Sequence, residues 1–341
     1  MSKSDIILEI KNLTKEFNVK TKLFGYGKTP TIKAVSDISF FVKRGETFGL
    51  VGESGCGKTT LGRCIVRGID ATSGQVMYYM EDGTKIDFLK AKEEEYKDLR
   101  KRIQMIFQDP YSSLDPRMTV YDIISEPLKA CYKLSKPEID DRVKEIGKAT
   151  GLDISYLKRY PHAFSGGQRQ RIGIARALIT LPDIIVCDEP VSALDVSIQA
   201  QIINILKDLQ AEYKMTYIFI AHDLSVVEYI SDRVAVMYLG RIVELAPTEK
   251  MYSYPKHPYT EALLSAVPNP DPERKMRRII LQGEVPIPSN PPAGCHFHPR
   301  CPYRGKECDS VIPELYELED GHYVACHYAN KLRLSGIGQV Q

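Results

Sequence analysis

Three groups of residues have the types and spacing to do chemistry. The first is Gly52-Glu53-Ser54-Gly55-Cys56-Gly57-Lys58-Thr59, which fits G-x-x-x-x-G-K-[ST] and is followed by Thr60. Glycines in such a run let backbone N–H groups turn inward around phosphate oxygens. A helix that begins there adds positive potential. Lys58 supplies a point charge for β- and γ-phosphates, and the Thr59 hydroxyl suits Mg²⁺. The plain alternative is an ordinary glycine-rich turn, but a strand before the run and a helix after it favour a phosphate cradle. Cys56, inside the run, is a small filler or a thiol whose pKa a helix N-terminus could lower.

The second group is Asp188-Glu189, which ends the apolar run Ile184 to Cys187. In an open parallel sheet, ligands bind at the carboxyl ends of the strands. Asp188 can there hold Mg²⁺ directly or through water, and Glu189 is placed to polarise an attacking water. The third group is Cys295, Cys301, Cys308 and Cys326, half of the 8 cysteines, with His296, His298, His322 and His327 close by. In a reducing cytosol such a late cluster points to a metal rather than to a disulfide framework. Its spacing is not the C-x2-C of ordinary zinc folds. By chemistry alone the thiolates suit zinc and an iron–sulfur cluster equally well, and unmetallated structural thiols are the third reading.

The elements that must position these groups follow from periodicity. Leu8, Ile10 and Leu13 alternate with polar residues, as do Ile38, Phe40 and Val42 ahead of an Arg44-Gly45 turn, so both segments read as strands. Lys20 to Thr31 reads as a loop, and Thr47 to Val51 as a strand entering the glycine run. Ala91 to Arg102 reads as a solvated helix and Ile103 to Phe107 as a strand. Helical signals dominate from there to about residue 180. Ser135 and Glu138 form a capping box with Pro137 in the first turn, and Gly151 stops that helix. Strands at Ile184 to Cys187 and Tyr217 to Ala221 then alternate with helices carrying Ile198, Ile202, Ile205 and Leu209, and Leu224 to Ile230. That alternation implies a largely parallel sheet covered by helices. Val234 to Leu239, Gly240, then Arg241 to Leu245 reads as a closing hairpin. Beyond about residue 250 proline becomes frequent, and the remainder is too short to build a large core unaided, so a staple is expected there.

Composition narrows the classes. The 341 residues allow about two domains at ~150 residues each, and 43% of them are apolar. Lys+Arg (46) nearly balances Asp+Glu (44), which argues against disorder and against a dedicated nucleic-acid binder. No apolar run approaches the ~18 residues of a membrane span. Met1-Ser2-Lys3-Ser4-Asp5 lacks the apolar core of a secretory signal, so a soluble cytoplasmic chain is expected.

Further segments carry a family resemblance. Phe164-Ser165-Gly166-Gly167-Gln168-Arg169-Gln170-Arg171 precedes the acidic strand end, and Ser192-Ala193-Leu194-Asp195 follows it. His222 comes just after the next strand, and Gln108 ends the strand before the helical segment. In this order the chain resembles the nucleotide-binding subunits of ABC transporters over about residues 6 to 330. The resemblance implies an α/β P-loop NTPase fold over 1–250. It would have a RecA-like parallel-sheet core, an antiparallel β subdomain and a helical subdomain at about 109–165. A Cys-rich extension would follow at 251–341. Residues Gly52 to Thr60 would bind ATP phosphates, and Phe17 would stack on adenine. Thr59, Gln108 and Asp188 would serve Mg²⁺. Glu189 would be the general base, with His222 on the γ-phosphate. Ser165, Gly166, Gly167 and Gln168 would form the signature that contacts ATP held by an opposite subunit, with Asp195 also at the nucleotide. Each ATP is then sandwiched across a dimer.

Met105 to Pro116, His257-Pro258-Tyr259-Thr260 and the cysteine tail resemble the oligopeptide and dipeptide importers among them. Pro190 to Asp195 and Pro291-Pro292-Ala293-Gly294-Cys295 look like their F-type subunit. That implies pairing with a D-type subunit on the cytoplasmic face of the membrane, beneath two permeases and served indirectly by an extracytoplasmic solute-binding protein. It also favours [4Fe–4S] over zinc at the four cysteines. Similar cassettes serve oligosaccharides or nickel. Soluble ABC ATPases form another class, but they usually carry two cassettes or a long coiled coil, and one phosphate loop and no sustained heptads are present here.

Overall fold

The computed structural model describes residues 5–18, 31–268 and 278–337. Of the loop expected at Lys20 to Thr31, all but Thr31 lies outside them. Strand β1 (Ile6–Asn18) and strand β2 (Thr31–Lys43) bury Leu8, Ile10, Leu13, Ile38, Phe40 and Val42, as their alternation requires. Strand β3 (Thr47–Val51) is buried throughout and feeds the glycine run, after which helix α1 (Lys58–Ile65) begins. Strands β4 (Ser73–Tyr79) and β5 (Lys85–Asp87) follow, then helix α2 (Glu93–Arg102) and strand β6 (Ile103–Ile106). The charged helix is there as expected: only Leu99 of α2 is buried.

Helices α3 (Val120–Cys131) and α4 (Lys136–Ala149) make the helical region. The Ser135 hydroxyl and N–H both donate to Glu138, and Gly151, at φ 70°, ends α4. Helix α5 (Gly166–Leu178) leads to strand β7 (Ile184–Asp188), helix α6 (Val196–Tyr213) and strand β8 (Thr216–Ile220). Helix α6 buries Ile202, Ile203, Leu206 and Leu209, so its inner face is turned from the expected one, and Ile198 and Ile205 lie at its margin. Helix α7 (Leu224–Ile230), strand β9 (Arg233–Tyr238) and strand β10 (Arg241–Pro247) come next. Helices α8 (Thr248–Ser253) and α9 (Pro258–Leu264) precede the tail, which contains strands β11 (Tyr316–Glu319) and β12 (His322–Val324).

Contacts gather the chain into two compact units. Among the described residues, one comprises 5–7, 42–47 and 78–220; the other comprises 8–18, 31–41, 48–77, 221–268 and 278–337. In the first, β6, β7 and β8 run parallel, with Ile103 opposite Ile184 and Ile184 opposite Thr216. Strands β7 and β8 are buried at every position, which is why they read as unbroken apolar runs. Helix α5 packs on α3 and β6. In the second unit, β3 pairs parallel with β9, and β10 joins β9 through the expected hairpin. Its turn residues Leu239 and Gly240 have φ 42° and 80°, the left-handed pair of a tight hairpin.

The tail does not stand alone. Strand β12 adds antiparallel to β10, and β11 adds to β12. Val324, Cys326 and Ala329, with Leu318, Tyr328 and Leu332 against them, form a small core of its own. The firmest tie is Glu244 on β10, which is fully buried. Its carboxylate accepts the backbone N–H groups of Lys256 at 2.6 Å and His257 at 3.0 Å and meets His322 Nε2 at 2.7 Å. Replacing it by alanine leaves three buried donors without an acceptor, at about 1–3 kcal/mol each. Glu244→Ala is therefore expected to lose about 3 kcal/mol or more of stability, and Glu244→Gln less, because an amide oxygen still accepts. Thermal unfolding checks this, and an unchanged midpoint in Glu244→Ala rules the tie out.

Candidate nucleotide-binding site

In the second unit the glycine run forms a tight loop between β3 and α1. Gly52 and Gly57 have φ of 152° and 108°. A Cβ on Gly52 would lie 2.2 Å from the Met237 carbonyl oxygen, and one on Gly57 would lie 2.0 Å from that of Ala34. Both positions therefore demand glycine for space as well as for φ. Gly57 stands at the N-cap of α1, whose first turn holds no acidic residue to offset the positive potential of the helix start. The hairpin turn holds the loop from behind: Gly240 N–H donates to the Cys56 carbonyl at 2.9 Å.

Lys58 is buried, and its Nζ donates to the carbonyls of Gly52 at 2.7 Å and Glu53 at 3.1 Å. Those bonds aim the ammonium across the loop rather than out of it. Thr59 and Thr60 are half-buried, and Ser54 and Gly55 exposed. Cys56 is buried, and burial pushes its thiol up, outweighing the nearby Lys58. Phe17 is exposed near the end of β1 with the Lys15 ammonium 4.8 Å from its ring centre. His222 is exposed, just before Asp223, which caps α7.

In the first unit, Asp188 ends β7 fully buried, and Glu189 follows it half-exposed at φ 45°. Gln108, just beyond β6, donates from Nε2 to Glu189 Oε2 at 2.9 Å. The structure thus brings the two residues together across 81 positions of sequence. Ser165 is the N-cap of α5 and shares a capping box with Gln168. A Cβ on Gly167 would lie 2.5 Å from Ile198 Cγ2, so glycine lets α5 approach the start of α6. Asp195 caps α6 by accepting the Ile198 N–H at 3.0 Å. The hydroxyl, amide and carboxylate carried by these caps lie at the exposed starts of two helices.

The sequence reading missed the partners of Glu53. Arg300, in the tail, makes a bidentate ion pair with it, Nη1–Oε2 at 2.7 Å and Nη2–Oε1 at 3.0 Å. Tyr259 Oη accepts the Glu53 N–H at 2.9 Å. No local signal announces a pair 247 residues apart. The His257-Pro258-Tyr259 segment, noticed only as a resemblance, acquires a physical role. His257 Nδ1 accepts the Tyr259 N–H at 3.1 Å and starts α9.

His257 is completely buried, and burial pushes its imidazole down to about 3 from the usual 6.5. The unfolded chain takes up this proton below pH 6.5, whereas the folded chain stays neutral until about pH 3. The contribution is complete above pH 6.5 and shrinks as pH falls towards 3. At 1.36 kcal/mol per unit, about 2 kcal/mol is lost by pH 5. Urea unfolding at pH 7 and 5 should show this loss, and His257→Asn, which keeps an acceptor for the cap, should flatten it. An equal slope in both proteins disposes of the assignment.

Cys295, Cys301, Cys308 and Cys326 line one small cavity beside Phe297, and none is in a disulfide. Burial pushes Cys301 up to about 12 and Cys326 up to about 11, and raises Cys295 as well. Of the neighbouring histidines, His298 and His327 reach this cavity, while His322 is turned to Glu244. Among the described residues, no group of three or more His, Cys, Asp or Glu is arranged to hold a metal ion. The iron–sulfur or zinc site expected from the sequence thus has no coordination geometry behind it among the described residues, although the four thiols do share a cavity.

Comparison with known proteins settles the class. Residues 35–192 match the family described as ABC transporter, and residues 243–308 match the C-terminal region of oligopeptide/dipeptide transporters. A dimeric ATP-binding cassette solved in a post-hydrolysis state with ADP and Pi superposes with a TM-score of 0.61. It is 28% identical and covers 71% of this chain and 99% of that one. The protein is an ABC-type ATPase of the kind coupled to transport. The oligopeptide transport ATP-binding protein AppF of Bacillus subtilis is 50% identical over 95% of this chain and 97% of its own. A probable peptide ABC transporter ATP-binding protein of Sinorhizobium fredii is 51% identical over 95% of this chain and 90% of its own. The chain belongs to the oligopeptide and peptide import ATP-binding proteins of the ABC transporter family.

Proposed function

We propose that this chain hydrolyses MgATP to drive uptake of oligopeptides or dipeptides through a membrane permease. The observation that carries the reading is the near-complete match to peptide-import relatives, which runs through both the cassette and the C-terminal region. Functionally we divide the chain into an ATPase part, 1–250, with a helical part at about 109–165, and an extension, 251–341. Gly52 to Thr60 bind the phosphates, Lys58 neutralises them, and Phe17 stacks on the base. Thr59, Gln108 and Asp188 would hold Mg²⁺, which would neutralise charge developing on the phosphates. Glu189 polarises the attacking water, and its bond from Gln108 supports that role by fixing the carboxylate. His222 contacts the γ-phosphate and orients Glu189.

Ser165 to Gln168 and Asp195 serve the nucleotide of an opposing D-type subunit, so hydrolysis needs a heterodimer. The pair sits at the cytoplasmic face beneath two permeases, which receive solute from an extracytoplasmic binding protein. Among the described residues no helix is long and apolar enough to cross a membrane, which fits peripheral attachment. Cys295, Cys301, Cys308 and Cys326 are the residues that would hold a [4Fe–4S] cluster, with zinc as the alternative. Four disulfide-free thiols around one cavity support that donor set. The bound group would staple a segment with little core.

The test is reconstitution of the chain with its D-type partner and permeases in liposomes. Peptide-loaded binding protein should stimulate ATP hydrolysis and drive peptide uptake. Hydrolysis stimulated by an oligosaccharide or nickel instead, or no uptake at all, would reject the peptide assignment. Iron, sulfide and zinc assays on anaerobically purified protein decide the tail.

A further inference from the structure

The phosphate-binding loop is held by groups from α9 and the tail that no catalytic role requires. Glu53 is the first residue after Gly52 and sits in the loop itself. Its carboxylate lies in the fork of Arg300, whose side chain is only 8% exposed. Its N–H is taken by Tyr259 Oη at 2.9 Å, and its carbonyl by Lys58 Nζ at 3.1 Å. Side chain, N–H and carbonyl of this one residue are therefore all committed. Arg300 is itself held in place. It ends the turn His298–Arg300, between Cys295 and Cys301. Phe297, one turn earlier, is buried, with ring-centre distances of 5.3 Å to Tyr238, 5.3 Å to Tyr259 and 5.6 Å to His257. The Tyr238 hydroxyl adds a long contact to Arg300 Nη1 at 3.5 Å.

Such an arrangement has a consequence for binding. A loop that surrounds phosphate with backbone N–H groups works best when its φ/ψ values are set before the ligand arrives, because ordering it afterwards lowers affinity. A planar guanidinium fork fixes a carboxylate in direction as well as in distance. We propose that Arg300 is a positioning residue for nucleotide binding: through Glu53, and together with Tyr259, it holds the phosphate loop in its binding conformation. The proposal rests on the reading of Gly52 to Thr60 as the phosphate loop.

The experiment uses the full chain, alone and in the reconstituted transporter, with AMP-PNP as the binding probe. Arg300→Gln should raise the AMP-PNP Kd about 5–10-fold and raise KM for ATP while kcat holds, the mark of lost ground-state positioning. Arg300→Lys, which keeps charge but not the fork, should fall between Arg300→Gln and the unaltered protein. In a Glu53→Gln background, Arg300→Gln should add no further loss, because the two act as one unit. An unchanged Kd in folded Arg300→Gln overturns the proposal. So does a double variant whose loss is the product of the two single losses. If Arg300→Gln fails to fold, Arg300→Lys and Tyr259→Phe carry the same test, and normal affinity in both overturns it. Lys58→Ala is the control. If it binds AMP-PNP as well as the unaltered chain does, the phosphate-loop reading fails, and this proposal with it.

Discussion

Glu189→Gln is expected to lower ATP turnover by about 10²- to 10⁴-fold, the range that general-base catalysis contributes, while nucleotide still binds. The amide is nearly the shape of the carboxylate but cannot take a proton from water. The half-buried position and the φ of 45° suit a side chain presented from a strand end rather than packed beneath it. Gln108 Nε2, 2.9 Å from Oε2, can donate equally to an amide oxygen, so the substitution should cost little in local structure. Phosphate release by the reconstituted transporter at saturating ATP reads the first effect, and AMP-PNP affinity reads the second. Turnover within about tenfold of normal would place the base elsewhere. Loss of binding together with turnover would make Glu189 a structural residue.

Lys58→Ala should weaken MgATP binding by about 100-fold or more, equivalent to about 2.7 kcal/mol. Two effects add. The phosphates lose a charge-assisted donor, and the carbonyls of Gly52 and Glu53 lose the Nζ that draws them together. The protection that saturating nucleotide gives against heat measures this cleanly. Ligand at 100 times its Kd stabilises the folded chain by about 2.7 kcal/mol, and the variant should forfeit nearly all of it at the same concentration. Lys58→Arg should not rescue, because a planar fork on a longer stem does not fit where a compact ammonium is buried. Equal protection of variant and unaltered chain would reject the loop as the phosphate site.

What could be read beforehand was what depends on neighbours in sequence. The capping box at Ser135, the turn at Leu239-Gly240 and the strand-loop-helix at Thr47 to Ile65 are each written in one short stretch of sequence, and each is where it was expected. Helix α6 shows the limit. Ile198, Ile202, Ile205 and Leu209 fit helical spacing, yet Ile203 and Leu206 are buried beside Ile202 and Leu209 while Ile198 and Ile205 are not, because the packed surface decides which of several apolar faces turns inward. Strands β11 and β12 were missed outright. They are short, and they exist because β10 offers an edge to pair with, 78 residues before His322. The roles of Ser165, Gln168 and Asp195 came from resemblance, whereas the structure shows directly that all three cap helices. The metal expectation is met only in part. Four cysteines clustered in sequence do meet in one cavity, but a shared cavity is a weaker condition than a coordination sphere.

The Glu53–Arg300 pair joins residues 247 positions apart. A chain made from its N-terminus exposes the phosphate loop long before residue 300 leaves the ribosome. Nascent chains at that stage would lack the Arg300 clamp and also the Tyr259 hydroxyl, so nucleotide could do little to stabilise them. Long-range closure of this kind comes late in folding. The same ordering separates finished chains from truncated ones. A fragment cut short between Thr60 and Tyr259 carries every residue of the phosphate motif, yet it should compete poorly for ATP with complete subunits.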